Sequence, residues 1–462
     1  MDFSMFPSET TIAALATAPG TGGIGIIRIS GPDAVKSADQ IFRSPSGVPL
    51  ARRKTHTIHY GYILDASGEK LDQVLVMLMR APHTYTGEDT VEIQCHGGPY
   101  VEEKILERLV SIGVEPADRG EFSKRAFLNG KMDLSQAEVV MDLISSSSEM
   151  SRRASMEQLS GSLARRIGEE RGRLLELTTM IEANIDYPEY DIEEVTRETM
   201  LSETMALLSS LKELYRTADS GIRVREGLRT AIIGSPNVGK SSLMNRLLGR
   251  ERAIVTQIAG TTRDTLEESV DFDGIPLRLV DTAGIHDTED TVEKIGVERA
   301  KEAAEKADLI LWMIDAVAPQ APGEEMLAAL SKKQYIILIN KEDLVEDPQK
   351  PSFLPEDATV IWISAKTGAG IDALQQRIRK LFFDGVVQSA QAPMITNVRQ
   401  KEALLKAIDA LSAAEAAIRE GYPEDMIMID YTNAYDALGE ISGHSLKSDV
   451  VDEIFRRFCL GK

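Results

Sequence analysis

Nine residues that directly follow an apolar run form the clearest functional motif in this sequence. The run RTAII has the composition of a β-strand, and GSPNVGKSS (234–242) comes directly after it. The pattern G-x-x-x-x-G-K-[ST] is matched by Gly234, Gly239, Lys240 and Ser241. Such glycines let backbone N–H groups surround phosphate oxygens, the lysine reaches the β- and γ-phosphates, and the serine binds magnesium, Mg²⁺. The segment therefore predicts a nucleotide phosphate site.

Three further motifs follow strand-like runs, and together they specify the base. DTAG supplies Asp281 for the water shell of the metal and the Gly284 N–H for the γ-phosphate. NKED (340–343) follows YIILI, and Asp343 can accept hydrogen bonds from guanine N1–H and N2–H₂, which adenine cannot supply. SAK (364–366) follows ATVIWI and is suited to meet guanine O6. We therefore expect a GTPase domain.

Between the first two motifs, TQIAGTTRD offers Thr261 and Thr262 for the threonine that completes the Mg²⁺ shell. Ile285 follows DTAG, where Ras-like GTPases carry the glutamine that orients the attacking water. Isoleucine cannot orient water, so some other group must do so, and the nearby carboxylates Glu289, Asp290 and Glu293 are candidates. The residues predicted to contact nucleotide and Mg²⁺ are Gly234, Val238, Gly239, Lys240, Ser241, Ser242, Thr261, Thr262, Asp281, Gly284, Asn340, Lys341, Asp343, Ser364, Ala365 and Lys366.

Composition narrows the class of protein. The 462 residues are 43% hydrophobic and can bury several cores, and the net charge of −21 argues against strong sequence-independent binding of nucleic acid. The clearest basic cluster is RGEFSKRAFLNGK (119–131). A solvated helix face explains this cluster as well as a local binding patch does. Cys95 and Cys459 lack the spacing of a zinc site or a disulfide framework. With no signal-like start or bilayer-length apolar run, a cytoplasmic protein without membrane contact is expected.

Changes in the predicted secondary structure along the chain indicate its domains. Residues 1–128 mix short β-like runs with Gly and Pro turns and read as α+β. Residues 129–220 are helical, and 221–383 alternate strand-like and helical runs, which predicts a parallel α/β sheet. Residues 384–462 return to helical texture. We infer that the α/β block is inserted between two halves of one helical domain.

At this point several stretches together resemble the bacterial tRNA-modification GTPases of the MnmE (TrmE) family. They are APGTGGIGIIRISG, YTGEDTVEIQCHGG, GEFSKRAFLNGKMDLSQAE, the motifs PNVGKSS and IAGTTRD, and the terminal FCLGK. The resemblance covers essentially the whole chain, and AFLNGKMDL and CLGK are specific to the family. It implies an N-terminal α+β folate-binding domain, a discontinuous helical domain and an inserted Ras-like P-loop GTPase domain.

The resemblance also implies a reaction. With a FAD-containing partner of the MnmG type, such an enzyme installs an aminomethyl or carboxymethylaminomethyl group at C5 of the wobble uridine of certain tRNAs. A tetrahydrofolate derivative, 5-formyl- or methylene-tetrahydrofolate, would supply the carbon. The N-terminal domain would form a homodimer and contact folate through Arg28, Glu92 and Lys131, whose charges suit an anionic tail and the donor edge of a pterin. The tail with Cys459 and Lys462 would lie beside the folate.

For the missing glutamine, the resemblance implies a potassium ion, K⁺, held by Asn237 together with Thr256, Ile258 and Thr261. When two GTPase domains meet, this ion takes roughly the place of an arginine finger. Glu293 would then orient the attacking water.

Two questions stay open on the sequence. Cys459 is either a packed terminal thiol or a group that attacks or stabilises a uridine intermediate, while lipidation and a disulfide with Cys95 are disfavoured. The alternative function is an RNA-binding or ribosome-assembly switch GTPase, since such proteins share every nucleotide motif. A chain that only regulates its FAD-containing partner is a third reading.

Overall fold

The computed structural model describes residues 9–186, 196–250, 268–280, 302–323, 327, 330–331, 333–356, 358–383 and 393–462. The chain divides into two compact units, each built from separate stretches. The first comprises Met1–Met141, Ala164–Met180 and Tyr431–Lys462, and the second comprises Asp142–Leu163 and Ile181–Asp430. The predicted domain limits at residues 128, 220 and 383 remain predictions.

The described residues of the first unit form a seven-stranded, largely antiparallel sheet. Its strands are β1 (Ile12–Leu15), β2 (Gly25–Ser30), β3 (Phe42–Arg43), β4 (Thr57–Leu64), β5 (Lys70–Met79), β6 (Thr90–Cys95) and β7 (Glu115–Pro116). Their spatial order is β3-β4-β5-β6-β2-β1-β7. Strand β2 pairs with β6 in a register that sets Arg28 opposite Glu92.

Helices in the described ranges are numbered in chain order. They are α1 (Ala34–Ile41), α2 (Pro99–Val110), α3 (Glu121–Leu128), α4 (Leu134–Ser145), α5 (Glu149–Leu159), α6 (Ser162–Asp186), α7 (Arg197–Arg216), α8 (Ala218–Glu226), α9 (Lys240–Arg250), α10 (Ile371–Phe382), α11 (Val398–Glu420), α12 (Glu424–Ser442) and α13 (Ser448–Arg456). The helical character predicted within 129–220 and 384–462 is confirmed for the described helices α4 to α7 and α11 to α13. Across the described ranges, no helix combines the length and the apolar composition that crossing a bilayer requires.

Helices cover one face of the N-terminal sheet, whereas the part of the other face formed by β4 and β5 is exposed. Helices α1 and α2 pack on a core that includes Ile27, Val76 and Ile93, all completely buried. Side chains alternate between the faces of a strand, so neighbouring positions point away from this core. On that second face Ile58, Tyr60 and Leu75 of β4 and β5 are between 42% and 56% exposed.

The C-terminal end of the chain packs inside the first unit. Leu134 of α4 and Phe455 of α13 share a buried cluster, against which Phe127 of α3 packs. The Gly120 N–H, just before α3, donates a hydrogen bond to the main-chain oxygen of Cys459 at 3.3 Å. These contacts fix the terminal segment against the N-terminal domain.

The second unit contains the predicted parallel sheet. Its strands are β8 (Leu228–Gly234), β9 (Glu268–Phe272), β10 (Ile275–Leu279), β11 (Leu309–Asp315), β12 (Gln334–Asn340) and β13 (Val360–Ile363), in the order β13-β12-β11-β8-β10-β9. All of the pairings between these strands are parallel except β9 with β10. In β11, Leu311 and Met313 face one apolar cluster while Ile310 and Trp312 face another, so both faces are buried. The fold-class prediction is confirmed.

Candidate functional site

The predicted phosphate loop lies between the end of β8 and the start of α9. Lys240 Nζ donates hydrogen bonds to the main-chain oxygens of Gly234 and Ser235, both at 2.9 Å. Its ammonium therefore sits inside the curve of the loop. Burial lowers the pKa of Lys240. A phosphate group would supply the negative charge that a buried ammonium needs, so the loop fits its predicted ligand.

Asn340, at the end of β12, joins three of the predicted motifs. Asn340 is only 2% exposed. Its Nδ2 donates a hydrogen bond to Val238 O at 2.7 Å, and its Oδ1 accepts one from the Ala365 N–H at 2.9 Å. Gly239 has a φ of 101°, and a Cβ there would overlap Asn340 Nδ2. Glycine is therefore required where the phosphate loop meets the base-recognition loop.

The NKED segment makes a turn that presents its aspartate. Lys341 is left-handed, with φ 70°, and precedes the 3₁₀ turn Glu342–Leu344. The Leu344 N–H donates to Lys341 O at 3.0 Å, which closes the turn. Asp343 is exposed, and no partner for its carboxylate is found in the described part of the chain. An accepting carboxylate without an internal partner suits recognition of guanine N1–H and N2–H₂.

The ammonium of Lys341 is held by a residue that sequence reasoning missed. Lys341 Nζ donates to Asp315 Oδ2 at 2.5 Å, and the Val317 N–H donates to Asp315 Oδ1 at 2.9 Å. Burial would raise the pKa of Asp315, but the hydrogen bonds from Lys341 and Val317 outweigh it and the pKa is lowered. A signal was available, because Asp315 ends the strand DLILWMID as Asn340 ends YIILIN.

The SAK loop is fixed by side chains and by α9. The Thr367 N–H donates to Ser364 Oγ at 3.1 Å. Arg246 Nε of α9 donates to Ala365 O at 3.1 Å, and its Nη2 donates to Lys366 O. Arg246 was not foreseen, since nothing in the composition of this helix marks one arginine among its polar residues.

The structure therefore brings most of the predicted nucleotide residues to one edge of the sheet. Those described are Gly234, Asn237, Val238, Gly239, Lys240, Ser241, Ser242, Asn340, Lys341, Asp343, Ser364, Ala365 and Lys366. Those outside the described residues, whose roles remain predictions, are Thr256, Ile258, Thr261, Thr262, Asp281, Gly284 and Glu293.

A second cluster of predicted site residues forms on the N-terminal sheet. Arg28 Nε donates to Glu92 Oε1 at 2.9 Å, and Arg28 Nη1 donates to Gly461 O at 3.1 Å. The guanidinium also lies 5.4 Å from the ring centroid of Tyr85 and 5.6 Å from that of Phe122. Both distances are within cation–π range. Neither ring was singled out from the sequence.

The last two residues of the chain complete this cluster. Lys462 Nζ lies 5.7 Å from the Tyr85 ring centroid, and burial, followed by the charge of Arg28, lowers the pKa of Lys462. Gly461 has a φ of 84°, and a Cβ there would overlap the carbonyl oxygen of Leu15. The tail can therefore lie on β1 only with glycine at this position. We call the cluster of Arg28, Glu92, Tyr85, Phe122 and the tail 461–462 the tail site.

Lys131 and Cys459 lie nearby without joining these hydrogen bonds. Lys131 is exposed, and its Nζ donates to Pro82 O at 2.9 Å, three residues before Tyr85. Cys459 is half-buried and carries a free thiol. Cys95 is buried, and burial, then the charges of Asp72 and Glu102, raises its pKa to about 11.

Two cations of the predicted basic cluster 119–131 are paired with carboxylates. Arg125 is buried and its guanidinium contacts Glu121 at 2.8 Å and Glu88 at 3.3 Å. Lys124 pairs with Asp452 at 2.7 Å. The interpretation of this cluster as a solvated helix face is therefore wrong for Arg125, because α3 packs its arginine inward against two carboxylates.

Comparisons with known proteins agree with this geometry. Residues 11–131 match the family model of the "GTP-binding protein TrmE N-terminus", and residues 134–459 match that of the "MnmE helical domain". The tRNA modification GTPase MnmE of Clostridioides difficile is 46% identical over 98% of this chain and 99% of that protein. The protein of that name from Lacticaseibacillus paracasei is 47% identical over 98% of each chain. A solved Era variant from Aquifex aeolicus with bound GDP and AlF₄⁻ is 32% identical and covers 39% of this chain and 65% of its own, with a TM-score of 0.25. The chain belongs to the MnmE (TrmE) family of tRNA modification GTPases.

Proposed function

We propose that this chain is a potassium-activated GTPase that modifies tRNA together with a FAD-dependent partner in the cytoplasm. The pair would install the aminomethyl or carboxymethylaminomethyl group at C5 of the wobble uridine, with carbon from a tetrahydrofolate derivative. The observation that carries the GTPase half is the double hydrogen bond of Asn340, which joins the phosphate loop to both base-recognition loops. The names of the relatives support the tRNA half.

In the GTPase half, the chain's own groups hold the nucleotide and orient water. Lys240 and the N–H groups of the loop would bind phosphate oxygens, Asp343 would bind guanine, and Glu293 would orient the attacking water. Ser241 and Thr262 would hold Mg²⁺, while Asn237, Thr256, Ile258 and Thr261 would hold K⁺. When bound, the two ions would stabilise negative charge on the transferring phosphoryl group.

GTP hydrolysis in matched potassium and sodium salts tests this half. We expect hydrolysis to be faster in potassium, and equal rates would contradict the K⁺ assignment. Glu293→Ala should abolish turnover while GTP binding stays close to that of the unsubstituted protein. A large loss of binding would instead mean that Glu293 has a structural role.

In the folate half, the tail site and Lys131 would bind the cofactor. Arg28, Lys131 and Lys462 would contact its anionic groups, and Glu92 would accept from the donor edge of the pterin. The bound cofactor would supply a one-carbon unit. Titration of the full chain with 5-formyl-tetrahydrofolate is the test. Absence of binding would favour an RNA-binding or ribosome-assembly switch GTPase instead.

Cys459 would act on the uridine as a nucleophile or as a stabilising group. Its main-chain oxygen accepts from the Gly120 N–H, which fixes Cys459 two residues before Gly461, whose carbonyl oxygen accepts from Arg28. Reconstitution of tRNA modification with Cys459→Ser and the FAD-dependent partner tests this. We expect loss of the modified nucleoside with unchanged GTP hydrolysis. Full modification by the variant would show that the thiol only packs.

The chain would form a homodimer through its N-terminal domain. The exposed face of β4 and β5 presents Ile58, Tyr60 and Leu75 as a contiguous apolar surface, since Tyr60 lies opposite Leu75 in the strand register. Such patches commonly mark protein interfaces. Leu75→Glu should shift the mass measured by light scattering from dimer to monomer, whereas Lys36→Glu on α1 should not.

Nucleoside analysis of tRNA from cells that lack this protein tests the whole proposal. We expect the C5-substituted wobble uridine to disappear and to return when the gene is restored. An unchanged nucleoside profile would overturn the tRNA half, even if GTP hydrolysis were intact.

A further inference from the structure

The N-terminal unit carries two basic segments that differ in how far they are neutralised. In the segment 119–131, Lys124 and Arg125 are paired with carboxylates. The second segment is Arg52-Arg53-Lys54, which precedes β4. Arg52 and Lys54 are exposed, and in the described part of the chain neither has an ion-pair or hydrogen-bond partner for its side chain.

Arg53 is held by neutral groups. Its Nη2 donates to Ser44 Oγ and to Val48 O, both at 3.4 Å, and also to Ser46 Oγ. None of these acceptors offsets its positive charge. The charge is felt nearby, because burial and then Arg53 lower the pKa of His59. Three consecutive cations therefore remain without a carboxylate partner among the residues that the structure describes.

Backbone contacts join this segment to a second loop. The Arg80 N–H donates to Thr55 Oγ1 at 2.9 Å, and Arg80 Nη2 donates to Ala51 O at 3.0 Å. His56 Nε2 is 3.0 Å from His83 O. The loops 51–56 and 80–83 thus form one exposed surface.

Lys131 extends that surface toward the tail site. Its ammonium donates to Pro82 O at 2.9 Å, and Tyr85, three residues later, contacts Arg28 and Lys462. Arg80, in the second loop, does have an acidic partner, because its Nη1 lies 3.4 Å from Asp89 Oδ2. We call Arg52, Arg53, Lys54, Lys131 and the two loops the basic loop surface.

We propose that the basic loop surface binds the phosphate backbone of tRNA beside the tail site. The inference rests on the proposed function, which makes tRNA the substrate. The chain carries a net charge of −21, so a polyanion is repelled from most of its surface and attracted where cations lack partners. Each cation that neutralises a phosphate releases condensed counterions and so strengthens binding. Contact with phosphates positions a nucleic acid without reading its sequence.

Filter binding of an unmodified tRNA transcript to the full chain, between 50 and 200 mM KCl, tests the proposal. For the double variant Arg52→Gln and Lys54→Gln we expect roughly tenfold weaker binding and a logarithmic salt slope reduced by about 1.5 to 2, because two phosphate contacts are lost. The matched control is Lys36→Gln with Lys104→Gln. Those lysines lie on α1 and α2 of the same domain, pair with Asp33 and Glu107, and change the net charge equally.

Each outcome decides one point. Equal losses in the two double variants would assign the effect to net charge and overturn the surface. Wild-type affinity and slope in Arg52→Gln with Lys54→Gln would also overturn it, while leaving the proposed function intact. Absence of tRNA binding by the unsubstituted chain would overturn the basic loop surface but not the proposed function, which assigns the modification to the chain together with its partner and is tested separately by nucleoside analysis. Unchanged thermal unfolding, GTP hydrolysis and 5-formyl-tetrahydrofolate affinity would show that the variant folds and that only contact with tRNA is affected.

Discussion

The nucleotide site and the tail site, which we propose binds folate, are built in opposite ways. The nucleotide site is built from the ends of neighbouring strands in one sheet, and Asn340 bridges its loops. The tail site joins Arg28 of β2 to Gly461, which lies 433 residues along the chain. The first is local to one domain fold, whereas the second exists only when the terminal segment is docked.

The bonds that hold the two sites also differ in kind. Asn340 and its partner atoms are buried, so losing one partner leaves a polar group without water, which costs about 1–3 kcal/mol. In the tail site the Arg28 and Glu92 side chains are 14% and 15% exposed, and the cation–π contacts add about 0.5–2 kcal/mol each. Breaking the nucleotide site should therefore have the larger effect, and breaking the tail site the smaller.

The largest effect is expected for Asn340→Ala. The change leaves Val238 O and the Ala365 N–H without their partner, and two such losses correspond to about a 100-fold weaker affinity for GDP. Fluorescent GDP titration is the measurement. Asn397→Ala is the control, because it removes the helix cap of α11 at about 1 kcal/mol of stability and leaves the nucleotide site untouched. A loss of GDP affinity in the control variant as large as in Asn340→Ala would contradict the local assignment.

The tail site should respond to Gly461→Ala. Alanine at φ 84° is strained, and its Cβ would overlap Leu15 O. The tail should therefore move away and lose the hydrogen bond from Arg28 Nη1 to the main-chain oxygen of residue 461. We expect roughly 20-fold weaker binding of 5-formyl-tetrahydrofolate, since backbone strain and clash together cost about 2 kcal/mol. Gly113→Ala is a matched control, because Gly113 has a φ of 95° but open space around its Cβ position. If both variants lose affinity equally, strain alone explains the result and docking of the tail is not required.

The two sites differ in how much of them could be predicted from sequence. The nucleotide residues were predicted one by one, because each follows a strand at fixed spacing and parallel strands end at one edge of a sheet. Asp315 met the same criterion and was missed only because its strand carries no known motif. Arg28, Glu92 and Lys462 came from family resemblance alone. Arg28 and Glu92 meet through the register of β2 and β6, whereas Lys462 reaches them only because α3, α4 and α13 pack together. Local periodicity encodes neither arrangement, and for the same reason Tyr85 and Phe122 had no signal.

An intermediate effect is expected for Asp315→Asn. The amide keeps the shape of the side chain but carries no negative charge to pair with the Lys341 ammonium. Lys341, in the loop predicted to bind the guanine base, should therefore be less well positioned. Affinity for GDP should fall about tenfold, with folate binding unchanged, because the Lys341–Asp315 pair is partly exposed and its charge-assisted hydrogen bond is worth about 1.5 kcal/mol. Asp347→Asn, an exposed acid in the same loop region, serves as control. Wild-type affinity in Asp315→Asn would show that Lys341 is positioned without this pair.

The smallest effect concerns the charge of Lys462. Burial and the neighbouring Arg28 lower the pKa of Lys462, so its ammonium loses its proton below the pH at which a free lysine does. Only the protonated form would bind anionic groups, so affinity for 5-formyl-tetrahydrofolate should begin to fall as the pH rises toward the pKa of free lysine. The fall should be a few-fold at most, because a single ionic contact is lost. Lys462→Arg keeps its charge to pH values above about 12, so its affinity should decline later. Titration of the ligand's own groups affects both proteins equally. Identical pH profiles would therefore mean that the terminal ammonium does not contact the ligand and that the tail contributes through its backbone alone.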